Sequence, residues 1–254
     1  MARRERPEAT LRALAICSAI ALGTWSHCVH AYRPFESTDA SVVAPGEVEI
    51  ELGPLDYTDV PGGSVSDTPA VTINAGLSSR WEAVIDATRA ISRSAATRDV
   101  ETFESAVLLK GVIREGALQE ATGWSVATEF GVLLPTRQLD DHYGATFALI
   151  GSRRDERKVI HLNAAVARNR DGNAEVFAGV IVEAVTRAPV RPVAELTFEF
   201  EEGRDASSLS GLVGAIWRHM DNLSFDFAIR AIREGGAWSR QGRIGITWAF
   251  AVAR

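Results

Sequence analysis

Apolar and polar side chains alternate along most of this chain with a period of two. That is the repeat of a β-strand whose two faces meet different surroundings. In GEVEIEL, Val48, Ile50 and Leu52 point one way and Glu47, Glu49 and Glu51 the other. In AELTFEFE, Leu196, Phe198 and Phe200 oppose Glu195, Thr197, Glu199 and Glu201. NLSFDFAIR sets Leu223, Phe225, Phe227 and Ile229 against Ser224, Asp226 and Arg230. KVIHLNAAV sets Ile160, Leu162, Ala164 and Val166 against His161, Asn163 and Ala165. Such runs predict strands near 46–53, 69–78, 80–91, 103–114, 123–134, 143–152, 157–169, 173–187, 191–202, 207–218, 221–232 and 243–252. Turn signals separate them, among them NRDGN at 169–173, APVRP at 188–192 and MDN at 220–222. Gly76, Gly131, Gly179 and Gly245 fall on the polar faces, where they leave room for bulky neighbours or a ligand.

An even strand count lets the first and last strands pair antiparallel, which closes the sheet and leaves both ends on one side. Lipid cannot satisfy an open sheet edge, so a membrane sheet must close. The connections after strands one, three, five and eleven read as long and polar: PLDYTDVPGGSVSDT, SRSAATRDVE, PTRQLDDH and EGGAWSRQGR. Several of the others are short, such as SS at 78–79 and HMDN at 219–222, whereas EGALQEAT at 115–122 is an exception. Long outer loops and short periplasmic turns are the bacterial barrel pattern. A soluble sandwich also alternates, with its charges turned to solvent. The placement of Trp81, Trp124, Tyr143, Trp217 and Trp248 at or near strand ends, where interfacial girdles sit, favours the membrane. The fold expected is therefore all-β: a closed antiparallel transmembrane β-barrel of about twelve strands in the outer membrane of a Gram-negative bacterium.

The first residues fit that destination. Arg3, Arg4, Arg6 and Arg12 precede the apolar run ALAICSAIALG, and Val29 and Ala31 supply a small-residue cleavage pattern. The run falls short of the roughly 20 apolar residues a spanning helix needs. Residues 1–31 thus read as a signal peptide, 32–45 as a periplasmic lead-in and 46–254 as the barrel. Removing the leader's four arginines and two glutamates from 27 basic and 33 acidic side chains leaves 23 and 31, a net charge of −8. An acidic chain without a basic face argues against a nucleic-acid partner. Both cysteines, Cys17 and Cys28, lie in the leader, so disulfides play no part in the mature fold. The bulky Ile16 and His27 before them speak against lipid attachment.

The segment RPFESTDASVVAPGEVEIELG resembles the opening of mature chains in a family of bacterial outer-membrane barrels, the meta-pathway phenol-degradation or transporter-like proteins. The resemblance rests on Arg33, Pro34, Thr38, Asp39, Ala40, Pro45 and Gly46, followed by Glu47, Glu49 and Glu51. SSRWEAVID at 78–86, GVLLPT at 131–136, HLNAAVAR at 161–168, LSFDFAIR at 223–230 and the closing GRIGITWAF add partial matches. The likeness implies traffic of small aromatic or hydrophobic compounds. It also implies outer-membrane lipid and the barrel-assembly machinery as partners. Family barrels usually end on an aromatic residue, whereas this chain continues past Phe250 to AVAR, so Phe250 or Trp248 must serve as the assembly signal.

Alternation turns Glu49, Glu82, Asp86, Glu104, Lys110, Arg114, Glu129, Glu183, Glu195, Glu199, Asp226 and Arg230 toward the interior. They either pair across a filled lumen, as in small barrels, or line a water-filled passage that selects by charge. The chief expectation is a passive channel for small solutes of unknown identity; the alternative is a filled structural or surface-interaction barrel working through loops 54–67 and 233–242. In the mature chain, His142 neighbours Asp140 and Asp141 in a loop, His161 is on a strand and His219 is in a turn. That spacing shows no convergent metal site, and no cofactor motif occurs. An outer-membrane hydrolase using serine and histidine on adjacent strands is a minor alternative, since no nucleophile elbow is present. The lead-in, rich in Pro, Ser and Asp, is expected to fold against or into the barrel mouth. There Asp39 makes a turn or accepts a lumen arginine.

Overall fold

The computed structural model describes residues 33–94, 99–136, 142–203 and 207–252. The leader at 1–31, together with Asp140 and Asp141, lies outside the described residues. Twelve strands follow one another: β1 (Glu47–Val60), β2 (Gly63–Ser78), β3 (Trp81–Ser94), β4 (Val100–Arg114), β5 (Ser125–Leu134) and β6 (Gly144–Arg154), then β7 (Lys158–Arg168), β8 (Ala174–Ala184), β9 (Val190–Glu201), β10 (Ser208–Met220), β11 (Leu223–Glu234) and β12 (Ala237–Ala251). Each pairs antiparallel with its neighbours in the chain, and β1 closes on β12 from Glu47↔Ala251 to Asp59↔Arg240.

The distribution of side chains is inverted relative to a soluble protein. The outer surface carries Ile85, Val107, Phe130, Phe147, Leu149, Leu162, Val166, Leu196, Phe198, Val213, Phe227 and Ile229, all exposed. The buried side carries Glu49, Glu51, Glu82, Lys110, His161, Glu183, Glu195, Asp226 and Arg230. A sandwich would bury the first set and wet the second, so the alternation here is that of a membrane barrel. Trp81, Trp217 and Trp248 stand exposed near the strand ends closest to Gly46, and Tyr143 and Trp238 near the opposite ends.

Two of the long outer connections expected from the sequence are strand. β1 runs to Val60 and β2 starts at Gly63, so PLDYTDVPGGSVSDT is mostly ladder around a turn at Pro61–Gly62. EGGAWSRQGR likewise reduces to Gly235–Gly236, both at positive φ, with Glu234↔Ala237 already paired. Such paired glycines suit a two-residue hairpin because both central residues must adopt φ > 0. The earlier strand ends followed from broken alternation, and β-bulges break it: the register shifts between Leu52 and Leu55 in β1 and between Asp67 and Ala70 in β2. A bulge inserts one residue and reverses which parity faces inward. In β1 the buried positions accordingly pass from Glu49, Glu51 and Gly53 to Asp56 and Thr58. Loops 54–67 and 233–242 are therefore hairpin ends. The connection at 115–124, the exception noted in the sequence, contains one 3-10 turn, Ala117–Gln119.

Candidate functional site: the barrel lumen

Residues 33–45 lie inside the barrel, where lumen side chains satisfy their backbone groups. Nearest Gly46, the Val43 amide donates to Glu82 Oε2 at 2.6 Å. Asp39 Oδ1 accepts from the Ser41 amide and hydroxyl, both at 2.7 Å, which folds Asp39–Ser41 into a turn. Lys110 Nζ lies 3.7 Å from Asp39 and 3.5 Å from Glu82, and donates to Thr38 Oγ1 at 3.1 Å. Asn163 holds Thr38 at both ends, accepting from its amide at 3.1 Å and donating to its carbonyl at 2.8 Å. Farther along, Glu195 accepts the amides of Glu36 and Ser37 and pairs with Arg230 at 2.8 Å. The Glu36 carboxylate bridges Arg230, at 2.6 Å, and Arg243. Arg243 also pairs with Asp56 at 2.8 Å and donates to the Pro34 carbonyl. Arg33 faces Asp226 at 3.7 Å.

The barrel wall leaves room for this segment. A Cβ on Gly76 would overlap the carbonyl oxygens of Val43 and Ala44, one on Gly179 the Ser37 hydroxyl, and one on Gly245 Asp226 and Arg33. Gly131 differs, facing Val107 and Leu108 of the wall itself. A small apolar contact of Ala40, Ala127 and Ile150 completes the packing.

Above the lead-in, toward the β1–β2 and β11–β12 turns, the lumen is open. A cavity of about 400 Å³ is lined by Glu36, Thr38, Glu129, Asn163, Glu175, Phe177, Glu199, Glu201 and Glu234. A second, of about 540 Å³, is lined by Asp86, Glu104, Asp171, Glu175 and Glu201, with Arg170. They share Glu175 and Glu201 and form an acid-lined vestibule. A smaller recess of about 170 Å³ continues beside the lead-in past Glu129 to Lys110 and Glu82.

The twelve interior residues expected from the sequence thus separate by depth. Glu82, Lys110, Glu195, Asp226 and Arg230 hold the lead-in, Asp86, Glu104, Glu129 and Glu199 line the vestibule and its recess, and Glu183 is buried against His161 and Arg191. Glu49 is buried in the wall close enough to Glu82, Lys110 and the lead-in's Asp39 to feel their charges, and Arg114, past the bulge between Val112 and Arg114, is exposed at the barrel end. Glu36, Asp56, Arg191 and Arg243 were missed. Asp56 and Arg243 pair across β1 and β12, beyond the bulge at which the alternation was read as ending.

Of the histidines, His142 and His219 are exposed at opposite ends of the strands, and His219 packs edge-on to Trp217 at 5.1 Å. His161 is fully buried, with Nδ1 2.8 Å from Ser152 Oγ and Nε2 2.9 Å from Glu183 Oε1. Register places Ser152 opposite His161 on β6 and β7, and β8 brings Glu183 alongside. Among the described residues no group of three His, Cys, Asp or Glu side chains has the geometry to hold a metal ion.

No protein-family model and no curated protein matches this sequence. Solved structures do match in fold. An outer-membrane channel from Pseudomonas putida F1 superposes with a TM-score of 0.65 at 8% identity, covering 85% of this chain and 100% of that one. The KdgM porin gives 0.53 at 8% identity over 80% and 99% of the two chains. The translocator domain of the autotransporter NalP from Neisseria meningitidis gives 0.52 at 13% identity over 96% and 98%. At such identities the likeness establishes an outer-membrane barrel fold.

Proposed function

We propose that this protein is an outer-membrane channel for small solutes, entered through the acid-lined vestibule and closed on its terminal side by its own residues 33–45. The observation that carries the reading is the vestibule: adjoining carboxylate-lined cavities that a purely structural barrel has no need to keep open. Its rim of carboxylates concentrates cations and favours cationic or neutral solutes over anions. Phe177, with Ala148, Ala165 and Ala167 in the same wall, offers a flat apolar contact in keeping with the likeness to the phenol-degradation barrels. The termini lie on the periplasmic side, so the lead-in closes the inner mouth, and the barrel-assembly machinery reads Phe250 or Trp248.

The filled-barrel reading has its own support in the ion pairs that clamp the lead-in. Planar-bilayer recording separates the two. The full mature chain should conduct rarely, and a variant lacking residues 33–43 should show discrete, cation-preferring steps. Glu129→Gln, Glu175→Gln and Glu199→Gln together should reduce that preference. Glu195 belongs to the clamp, so its neutralisation should instead loosen the lead-in. No conductance and no liposome swelling from either form would leave the filled barrel as the function.

A further inference from the structure

From Ser152, His161, Glu183 and Gln119 we infer a second activity: a serine-based acyl-ester hydrolase site in the lumen wall, occupied in this structure by the protein's own Ala40. The chain of contacts has the form that nucleophilic catalysis requires, with the nucleophile within hydrogen-bond reach of a base and the base oriented by a carboxylate. Nε2 of His161 donates to Glu183 Oε1, and the other oxygen of that carboxylate pairs with Arg191 at 2.8 Å. Nδ1 is then the acceptor, 2.8 Å from Ser152 Oγ, and takes the hydroxyl proton. Three adjacent strands fix these side chains, so the geometry belongs to the wall and does not depend on the lead-in.

Ala40 marks where a substrate would sit. Its amide donates to Ser152 Oγ at 2.9 Å, and its carbonyl accepts from Gln119 Nε2 at 2.8 Å. The nitrogen and oxygen of one residue lie within about 4 Å of each other by covalent geometry. One small polar group therefore meets the nucleophile and an amide donor at once. With Ala40 withdrawn, the Gln119 amide faces the place where a tetrahedral oxyanion would form. Ala127 and Ile150 beside it form an apolar wall for a short acyl group. Access is near, because Asn163, the next lumen-facing position on β7 from His161, already lines the vestibule cavity.

The reaction balances without a co-reactant other than water. Ser152 Oγ bonds to the acyl carbon as its proton passes to His161, and the ester C–O bond breaks with that proton leaving on the alcohol. Water then attacks the acyl-serine, giving one proton to His161 and releasing the acid, and His161 returns the proton to Ser152. A role confined to anchoring Ala40 would need only the serine. The histidine and carboxylate behind it are what a nucleophile needs.

A fluorophosphonate probe tests this on the refolded barrel. The intact chain should remain unlabelled. A variant lacking 33–43, and a full-length Glu36→Gln, Asp39→Asn variant that loosens the lead-in without shortening it, should label at Ser152, located by peptide mass spectrometry. Ser152→Ala should abolish labelling, and His161→Asn should reduce it at least tenfold. Hydrolysis of a short-chain p-nitrophenyl ester should follow the same order. If both released variants retain heat-modifiable mobility yet neither labels, or if labelling survives Ser152→Ala, the site is only an anchor for Ala40.

Discussion

At the scale of single residues, this interior depends on charges that are costly to leave alone. Lys110 is fully buried between Asp39 and Glu82, which are themselves buried. Removing one member of such a cluster strands the others, at a cost of about 3–5 kcal/mol. Lys110→Met should therefore undock the lead-in, read as protease cleavage within 33–45 while the barrel keeps its heat-modifiable mobility. Adding Glu82→Gln should restore much of the protection, because an amide oxygen still accepts from Val43 and one stranded charge is gone. Unchanged resistance in Lys110→Met would show that these charges do not hold the segment. Glu36 sets the response to acid. Burial opposes its ionisation, but the guanidiniums of Arg243 and Arg230 prevail and hold its carboxyl at about 2, against an ordinary 4.5. A lowered carboxyl stabilises the docked form fully above the ordinary value, and that contribution disappears as pH falls toward 2. Glu36's contribution to the protection of the lead-in amides from hydrogen exchange should be constant from neutral pH to about 4.5 and decline below it. In Glu36→Gln that acid-dependent decline should be absent.

Strands and segments carry the next level of control. Gly76 on β2 lets the Val43–Ala44 backbone lie against the wall. Gly76→Leu should leave the barrel folded but expel the lead-in, raising channel conductance above that of the intact chain; equal conductance would mean the segment docks by another route. The strands were legible in the sequence wherever alternation ran unbroken, as in β7 and β11, because one face meets lipid and the other does not. They were cut short at the β1 and β2 bulges, where one extra residue reverses the parity and the pattern resembles a loop. The polar face of each strand was legible too, but not which charges meet. Glu195 with Arg230, or Ser152 with His161, follows from register, which local composition does not state. The lead-in's path was harder still to foresee, since a segment without regular structure has no periodicity to read. Its trace in the sequence was indirect: Gly76, Gly179 and Gly245 on polar faces where larger residues would otherwise fit.

At the scale of the whole molecule, an inverted barrel depends on lipid outside and on its own polar network inside. Leu149, at the middle of the 11-residue β6, faces outward and is 49% exposed. Leu149→Arg should cost about 2–4 kcal/mol in lipid, as expected for a cation near the bilayer midplane. Urea unfolding from vesicles would measure that loss, and a change below a few tenths would place β6 outside the hydrocarbon. The position of the lead-in also constrains the order of assembly. Arg33 donates to Ile244 of β12, a contact spanning 211 residues, so the first part of the described chain is enclosed by the last strand to be made. A loop of that length is entropically expensive to close early. The seam between β1 and β12 is therefore the last to zip, and the lead-in must already be inside, or enter through an end, when it does. Its carboxylates and arginines then act as a mandrel around which the sheet is rolled. Lead-in variants should accordingly slow barrel formation even where the finished barrel is equally stable.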